Sequence, residues 1–137
     1  MKSGEYYIGD LAYVMHDVWD EVCELLYPED SVGRGLEGEF TLKDGRKFAL
    51  YSTNYGDGVY NTDFGYSCSV DSGSIGCILK SDIRDKSYTT AQIRGLAVFQ
   101  TFKKDFNTGF EFDEYTDDAG YRVEEKIIQF GGFQVYT

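Results

Sequence analysis

The chain has one proline, one histidine, one tryptophan and three cysteines in 137 residues. Each scarcity narrows what the protein can do. His16 is the sole imidazole open to a Ser-His-Asp or Cys-His mechanism. Cys23 follows it by two helical turns, about 10 Å along a helix axis, which is too far for direct proton transfer. His16 therefore reads as a residue at a helix start, and His-based nucleophilic catalysis is not expected. Three cysteines without a C-x-x-C or a Cys/His cluster leave no structural zinc pattern. Cys23 reads as an ordinary buried thiol. Cys68 and Cys77 read as two small apolar packers, with a strained cross-strand disulfide as the alternative.

Long apolar runs are also missing, and none approaches a membrane span. The segment Met1 to Tyr7 has neither an apolar signal core nor a cleavage pattern. A soluble, cytoplasmic protein with no membrane partner is the expectation. Bases are scarce too: 13 Lys and Arg stand against 24 Asp and Glu, for a net charge of −11. Such a chain repels phosphates, so direct nucleic-acid binding is disfavoured. The charge suits a basic protein partner, and it equally serves plain solubility.

What the chain does have is aromatic and patterned. Twelve tyrosines, ten phenylalanines and 42% hydrophobic residues argue against disorder. The length fits a single domain over 1–137. The stretch Tyr66 to Leu79 reads as a hairpin turning at Ser72-Gly73, which sets Val70 opposite Ile75, Cys68 opposite Cys77 and Tyr66 opposite Leu79. Glu39 to Leu50 reads as a second hairpin around Lys43-Asp44-Gly45, with Phe40 opposite Phe48 and Gly38 opposite Leu50. A third turns at Gly131-Gly132, with Phe130 opposite Phe133 and Ile128 opposite Val135. Gly4 to Ile8, Val59-Tyr60, Gly95 to Lys103, Phe110 to Tyr115 and Tyr121 to Phe130 read as further strands. Leu11 to Met15 is an apolar run open to strand pairing, Ser31 to Gly38 a glycine-bearing loop, and Ser81 to Arg94 carries no clear pattern.

One amphipathic helix is expected over about 16–27. Val18, Trp19, Val22, Cys23, Leu25 and Leu26 recur at helical spacing, with Asp17, Asp20, Glu21 and Glu24 opposite. His16 or Asp17 would cap it and Pro28 would stop it. Eight or nine short strands and one helix predict a mainly β (α+β) fold. Its antiparallel sheets would form a sandwich or a partly open barrel.

Candidate site residues follow from turns and tyrosines. Asn54 to Asp63 supplies hard oxygens at Asn54, Asp57, Asn61 and Asp63, which calcium would accept. Its spacing is not the helix-loop-helix pattern, and Asn, Asp and Gly also suit a plain turn. No metal or cofactor is therefore assigned. Tyr55 and Tyr60 make the segment a partner-binding loop. Tyr6, Tyr7, Tyr13 and Tyr66 are further candidates for a surface or pocket, against the alternative of a tyrosine-rich sheet face. Asp10, Asp57, Asp63 and Asp71 lie near turns or strand ends, where two carboxylates would have to converge for hydrolysis. The acidic clusters Asp17, Asp20, Glu21, Glu24 and Asp113, Glu114, Asp117, Asp118 read as phosphate mimics towards a basic groove or as solvated faces.

These residues favour a non-catalytic binding protein of inhibitor or immunity type. It would engage a basic macromolecular partner through Tyr55, Asp57, Tyr60, Asp63 and Asp71, with Tyr6, Tyr7, Tyr13 and Arg94 as companions. The alternative is a protein that binds a small anionic ligand, a metabolite or nucleotide, in a pocket lined by tyrosines and by Arg84, Arg94 or Arg122. A carboxylate- or metal-dependent hydrolase using Asp57, Asp63 or Asp71 comes third.

Overall fold

The computed structural model describes residues 1–29 and 35–137. The first half of the loop expected over Ser31 to Gly38 lies outside the described residues. Among the described residues, ten strands form two five-stranded antiparallel sheets. The first sheet contains β1 (Gly4–Gly9), β2 (Gly38–Thr41), β3 (Lys47–Ser52), β6 (Ser74–Leu79) and β7 (Val98–Phe102), ordered β2-β3-β6-β1-β7. The second contains β4 (Gly58–Thr62), β5 (Ser67–Val70), β8 (Thr108–Thr116), β9 (Arg122–Phe130) and β10 (Phe133–Tyr136), ordered β5-β4-β10-β9-β8. Helix α1 (Trp19–Leu26), the short α2 (Thr90–Arg94) and four 3-10 turns complete the described elements. The arrangement is sandwich-like, as the hairpin spacing predicts.

Two cores hold it together. Between the sheets lie Tyr6, Ile8, Tyr51, Ile75 and Cys77 from the first, and Cys68, Val70, Ile128, Phe130 and Val135 from the second. On the outer side of the first sheet, Tyr7, Phe48, Leu50 and Ile78 pack against Leu11, Val14, Met15, Val22 and Leu26. A fully buried side chain of this size contributes about 1.5–3 kcal/mol, so β1 and β6, buried on both faces, anchor the structure. Gly76 of β6 is required there. A Cβ at that position would lie 2.1 Å from the Ala49 carbonyl and 2.6 Å from Leu11.

Several expectations hold in register. Phe40 pairs with Phe48 and Gly38 with Leu50, around a loop in which Gly45 takes φ +95. Phe130 pairs with Phe133 and Ile128 with Val135. The Ser72-Gly73 hairpin does not form. β5 pairs with β4, and β6 pairs with β3 and β1, so the two strands lie in different sheets. The apolar pattern is still satisfied, because Cys68, Val70, Ile75 and Cys77 all enter the core between the sheets. Periodicity chooses a face, and two strands can share a core across a sandwich as well as side by side. Cys68 and Cys77 are free, buried thiols.

Three local expectations also change. Leu11–Tyr13 forms a 3-10 turn, with the Asp10 side chain accepting from the Ala12 N–H. The helical segment opens with a 3-10 turn at His16–Val18, and neither His16 nor Asp17 caps α1, whose N-cap is Val18. The segment without a pattern holds α2, opened by a capping box between Thr89 and Gln92. No helix among the described residues is long and apolar enough to cross a membrane.

Candidate interaction surface

The tyrosines divide by depth. Tyr6 and Tyr7 are fully buried, which corrects the expectation that they line a surface or pocket. β1 is an interior strand between β6 and β7, and its two faces are covered by the two cores. Their hydroxyls donate to the Lys2 and Asp10 carbonyls, each at 2.7 Å. Burial pushes the Tyr6 hydroxyl up to about 12, and the Tyr7 hydroxyl higher still. Tyr13 is half-buried, stacks edge-on against Tyr88 and donates to the Asp71 carboxylate. Burial first, and then that hydrogen bond, raise its pKa.

Three of the four candidate carboxylates are held by hydrogen bonds of their own. Asp10 is buried and taken by the Ala12, Asp71 and Ser72 N–H groups and the Ser72 hydroxyl. Asp63 accepts from the Gln134 N–H and the Tyr136 hydroxyl, and Asp71 from Tyr13. Asp57 is exposed. No cluster of three or more His, Cys, Asp or Glu suited to a metal occurs among the described residues. The Asn54 to Asp63 segment is instead tied internally and to β9. The Tyr60 hydroxyl donates to the Gly56 carbonyl, while the Tyr55 hydroxyl and the Asn54 amide both donate to the Glu124 carbonyl.

The cations expected in a tyrosine-lined pocket separate likewise. Arg84 pairs with Asp44, and Arg122 with Glu114. Arg94 borders an open hollow of about 530 Å³ with Tyr66, Ser67 and Phe99. A cleft of about 600 Å³ lies between α1 and the end of β3, lined by Trp19, Cys23, Leu36, Glu37, Ser52 and Ser72 among others.

Sequence reasoning picked out Asp113, Glu114 and Arg122 on β8 and β9 but passed over their neighbours Glu111, Phe112, Tyr115, Glu124 and Glu125. Both strands are nine residues long, while β10 has four. β10 reaches only from Phe130 to Ile127 of β9, and Thr137 extends the contact to Lys126. Among the described residues, Arg122–Glu125 and their partners on β8 form a two-stranded ribbon without a third strand. Residues 111–126 carry seven acids against two bases. Asp113 lies directly opposite Glu125, and Glu114 directly opposite Glu124. Both bases are engaged. Arg122 pairs with Glu114; Lys126 pairs with Glu37 and sits 4.3 Å from the centre of the Phe110 ring. Glu111, Asp113, Asp118, Glu124 and Glu125 have no ion pair among the described residues.

Aromatic rings punctuate these acids. Phe112 is 57% exposed, Tyr115 46% and Tyr121 72%. Strand alternation puts Asp113 and Tyr115 on one face, with Phe112 and Glu114 on the other. The signal for this surface was in the strand lengths. A four-residue β10 cannot cover a nine-residue β9, so the distal half of the hairpin had to project. Comparison of the chain with protein-family models, with curated proteins and with solved structures finds no match.

Proposed function

We propose that the protein is a non-catalytic binding protein of inhibitor or immunity type, which engages a basic macromolecular partner through the β8–β9 ribbon. The observation that carries this reading is the pair of like-charged oppositions, Asp113 to Glu125 and Glu114 to Glu124. Such pairs each cost up to about 1 kcal/mol, and a two-stranded ribbon has little stability in reserve. Lysine or arginine from a partner would relieve the repulsion. Phe112, Tyr115 and Tyr121 would supply apolar anchors, and the acids would steer the approach. Tyr55 belongs to this surface through its bond to the Glu124 carbonyl, with Asp57 exposed on the same loop.

The test is capture of partners from native lysate at low salt, with elution at about 0.5 M, where exposed charge pairs are screened. A ribbon variant (Asp113→Asn, Glu114→Gln, Glu124→Gln, Glu125→Gln) is compared with an α1 variant (Asp20→Asn, Glu24→Gln). The reading expects a salt-released basic protein that the ribbon variant loses and the α1 variant keeps. Equal capture by both variants refutes it. A second reading, sequestering of a small anionic ligand, is supported by the hollow that Arg94 shares with Tyr66. Mass spectrometry of small molecules in the same eluates, with an Arg94→Ala control, tests that reading.

A further inference from the structure

The hydrogen-bonding groups of the ribbon can be assigned residue by residue. In an antiparallel ladder, opposed residues alternate between pairs that exchange backbone hydrogen bonds and pairs that turn theirs outward. Beyond the end of β8 the Asp117 N–H donates to the Tyr121 carbonyl, and before its start the Gly131 N–H donates to the Asn107 carbonyl. Both pairs continue the β8–β9 register. The odd-numbered residues of β8 therefore bond to β9. Phe110, Phe112, Glu114 and Thr116 turn their N–H and C=O groups away from it. On that side β8 is the last strand of its sheet.

The opposite edge of the ribbon obeys the same parity and is covered as far as the Glu124 carbonyl. Lys126 exchanges both backbone bonds with Thr137, and farther out the Glu124 carbonyl accepts from Tyr55 and Asn54. Among the described residues, one edge is closed by the body of the protein as far as Glu124 and the other is open.

Open edges invite pairing, and proteins usually blunt them with short strands, bulges, proline or lysine. β8 is nine residues long and contains no proline or lysine. What it carries is Glu111, Asp113 and Glu114. These acids act selectively. A second copy would bring the same three acids against them, whereas a basic strand would be drawn in.

We propose that the open edge of β8 takes an extended basic segment of the partner as an added strand, bonded to the backbone of Phe110, Phe112, Glu114 and Thr116. The inference rests on the acidic-ribbon reading and specifies how that surface binds. Main-chain bonds would give affinity, and alternate side chains would give selection. Lysine or arginine would face Glu111 and Asp113 on one face. Apolar residues would face Phe110 and Phe112 on the other.

Amide hydrogen exchange on the intact chain tests this, with a nonapeptide of alternating lysine and valine as the probe. In the free protein the amides of Phe110, Phe112, Glu114 and Thr116 should exchange faster than those of Glu111, Asp113 and Tyr115. Saturating peptide should slow the even-numbered set by about ten-fold or more, since hydrogen-bonded amides exchange only on opening. The same peptide N-methylated at every second residue, so that one edge cannot donate, should bind about ten-fold more weakly or worse. Salt-sensitive peptide binding with the even-numbered amides still fast overturns strand addition and leaves the acidic surface standing. Equal binding of the N-methylated peptide, or no binding of either, also overturns it. Protection that grows with protein concentration alone would assign the edge to a second copy instead. Failure of the acidic reading itself would show separately, as unchanged partner capture by the ribbon variant.

Discussion

Asp10 and Ser72 meet at two points: one Asp10 oxygen accepts the Ser72 N–H and the other accepts the Ser72 hydroxyl, both at 2.7 Å. The Asp71 and Ala12 N–H groups complete the set at 2.7 and 2.9 Å. This fully buried carboxylate is the joint between the exit of β1 and the crossover from β5 to β6. Asparagine would keep the shape but turn an NH₂ group towards these donors. Hydrogen bonds to a charged group are worth about 1.5–3 kcal/mol. Asp10→Asn should therefore lower the unfolding free energy by about 3 kcal/mol, and Ser72→Ala by about 1 kcal/mol. Urea unfolding followed by circular dichroism measures both, and an unchanged midpoint for Asp10→Asn would rule out the joint.

The half-buried Glu37 and the buried Lys126 form an ion pair under the base of the ribbon. Burial alone would raise the Glu37 carboxyl, but hydrogen bonds from Lys126 and Ser52 and the Lys126 charge together bring it below the ordinary range. A carboxyl depressed in the folded state adds stability that is present above its unfolded value, about 4.3. That stability is lost as pH falls through the lower folded value. Glu37→Gln should therefore flatten part of the acid limb of the stability curve. It should also cost about 3 kcal/mol at neutral pH, because the Lys126 ammonium stays buried without a counter-charge. Unfolding free energy measured from pH 7 down to about 3 checks the sign.

Relieving one like-charged opposition should separate stability from binding. Glu125→Lys places a cation opposite Asp113 and should raise stability by about 0.5 kcal/mol. The same change should weaken capture of the basic partner. Thermal melts and the low-salt capture assay read the two effects, and a variant that is less stable but binds normally contradicts the account.

The cysteines should react in a fixed order. Burial pushes the Cys68 thiol up to about 12 and the Cys77 thiol further. Cys23 is half-buried and is raised more modestly, by burial and then by Asp20. Thiolate is the reactive form. Iodoacetamide on the native protein should label Cys23 first, with Cys68 and Cys77 modified only in denaturant. Peptide mapping shows the order, and a Cys68–Cys77 disulfide in the untreated protein would overturn it.

Legibility from the residues followed the range of the interaction. Local hairpins were readable because Gly45 and Gly131-Gly132 set both turn and register within a dozen residues. α2 was readable in principle from Thr89 and Gln92, which satisfy each other's backbone, but its apolar content is too slight to stand out. The β5–β6 crossover was not readable. Asp71 and Ser72 give their N–H groups to Asp10, a partner far back in the chain, and no local pattern reveals such a bond. Tyr6 and Tyr7 were misplaced for the same reason: tyrosine suits exposed and central strands alike, and the order of strands in the sheet decides between them. The ribbon needed only a comparison of strand lengths, while its open edge needed the parity of the hydrogen bonds.

The position of β1 between β6 and β7 also sets the order of assembly. Tyr7 pairs with Ile78 on one side and with Phe99 on the other. Both neighbours of Gly4–Gly9 are synthesised well after that strand. Pairings this distant in sequence place folding in the range of milliseconds to seconds. Throughout synthesis the Tyr-Tyr-Ile strand would stay unpaired and open to misassociation, the condition under which chaperones act. β1 is made before both of its neighbours and is seated only after them, and the first sheet closes when it arrives.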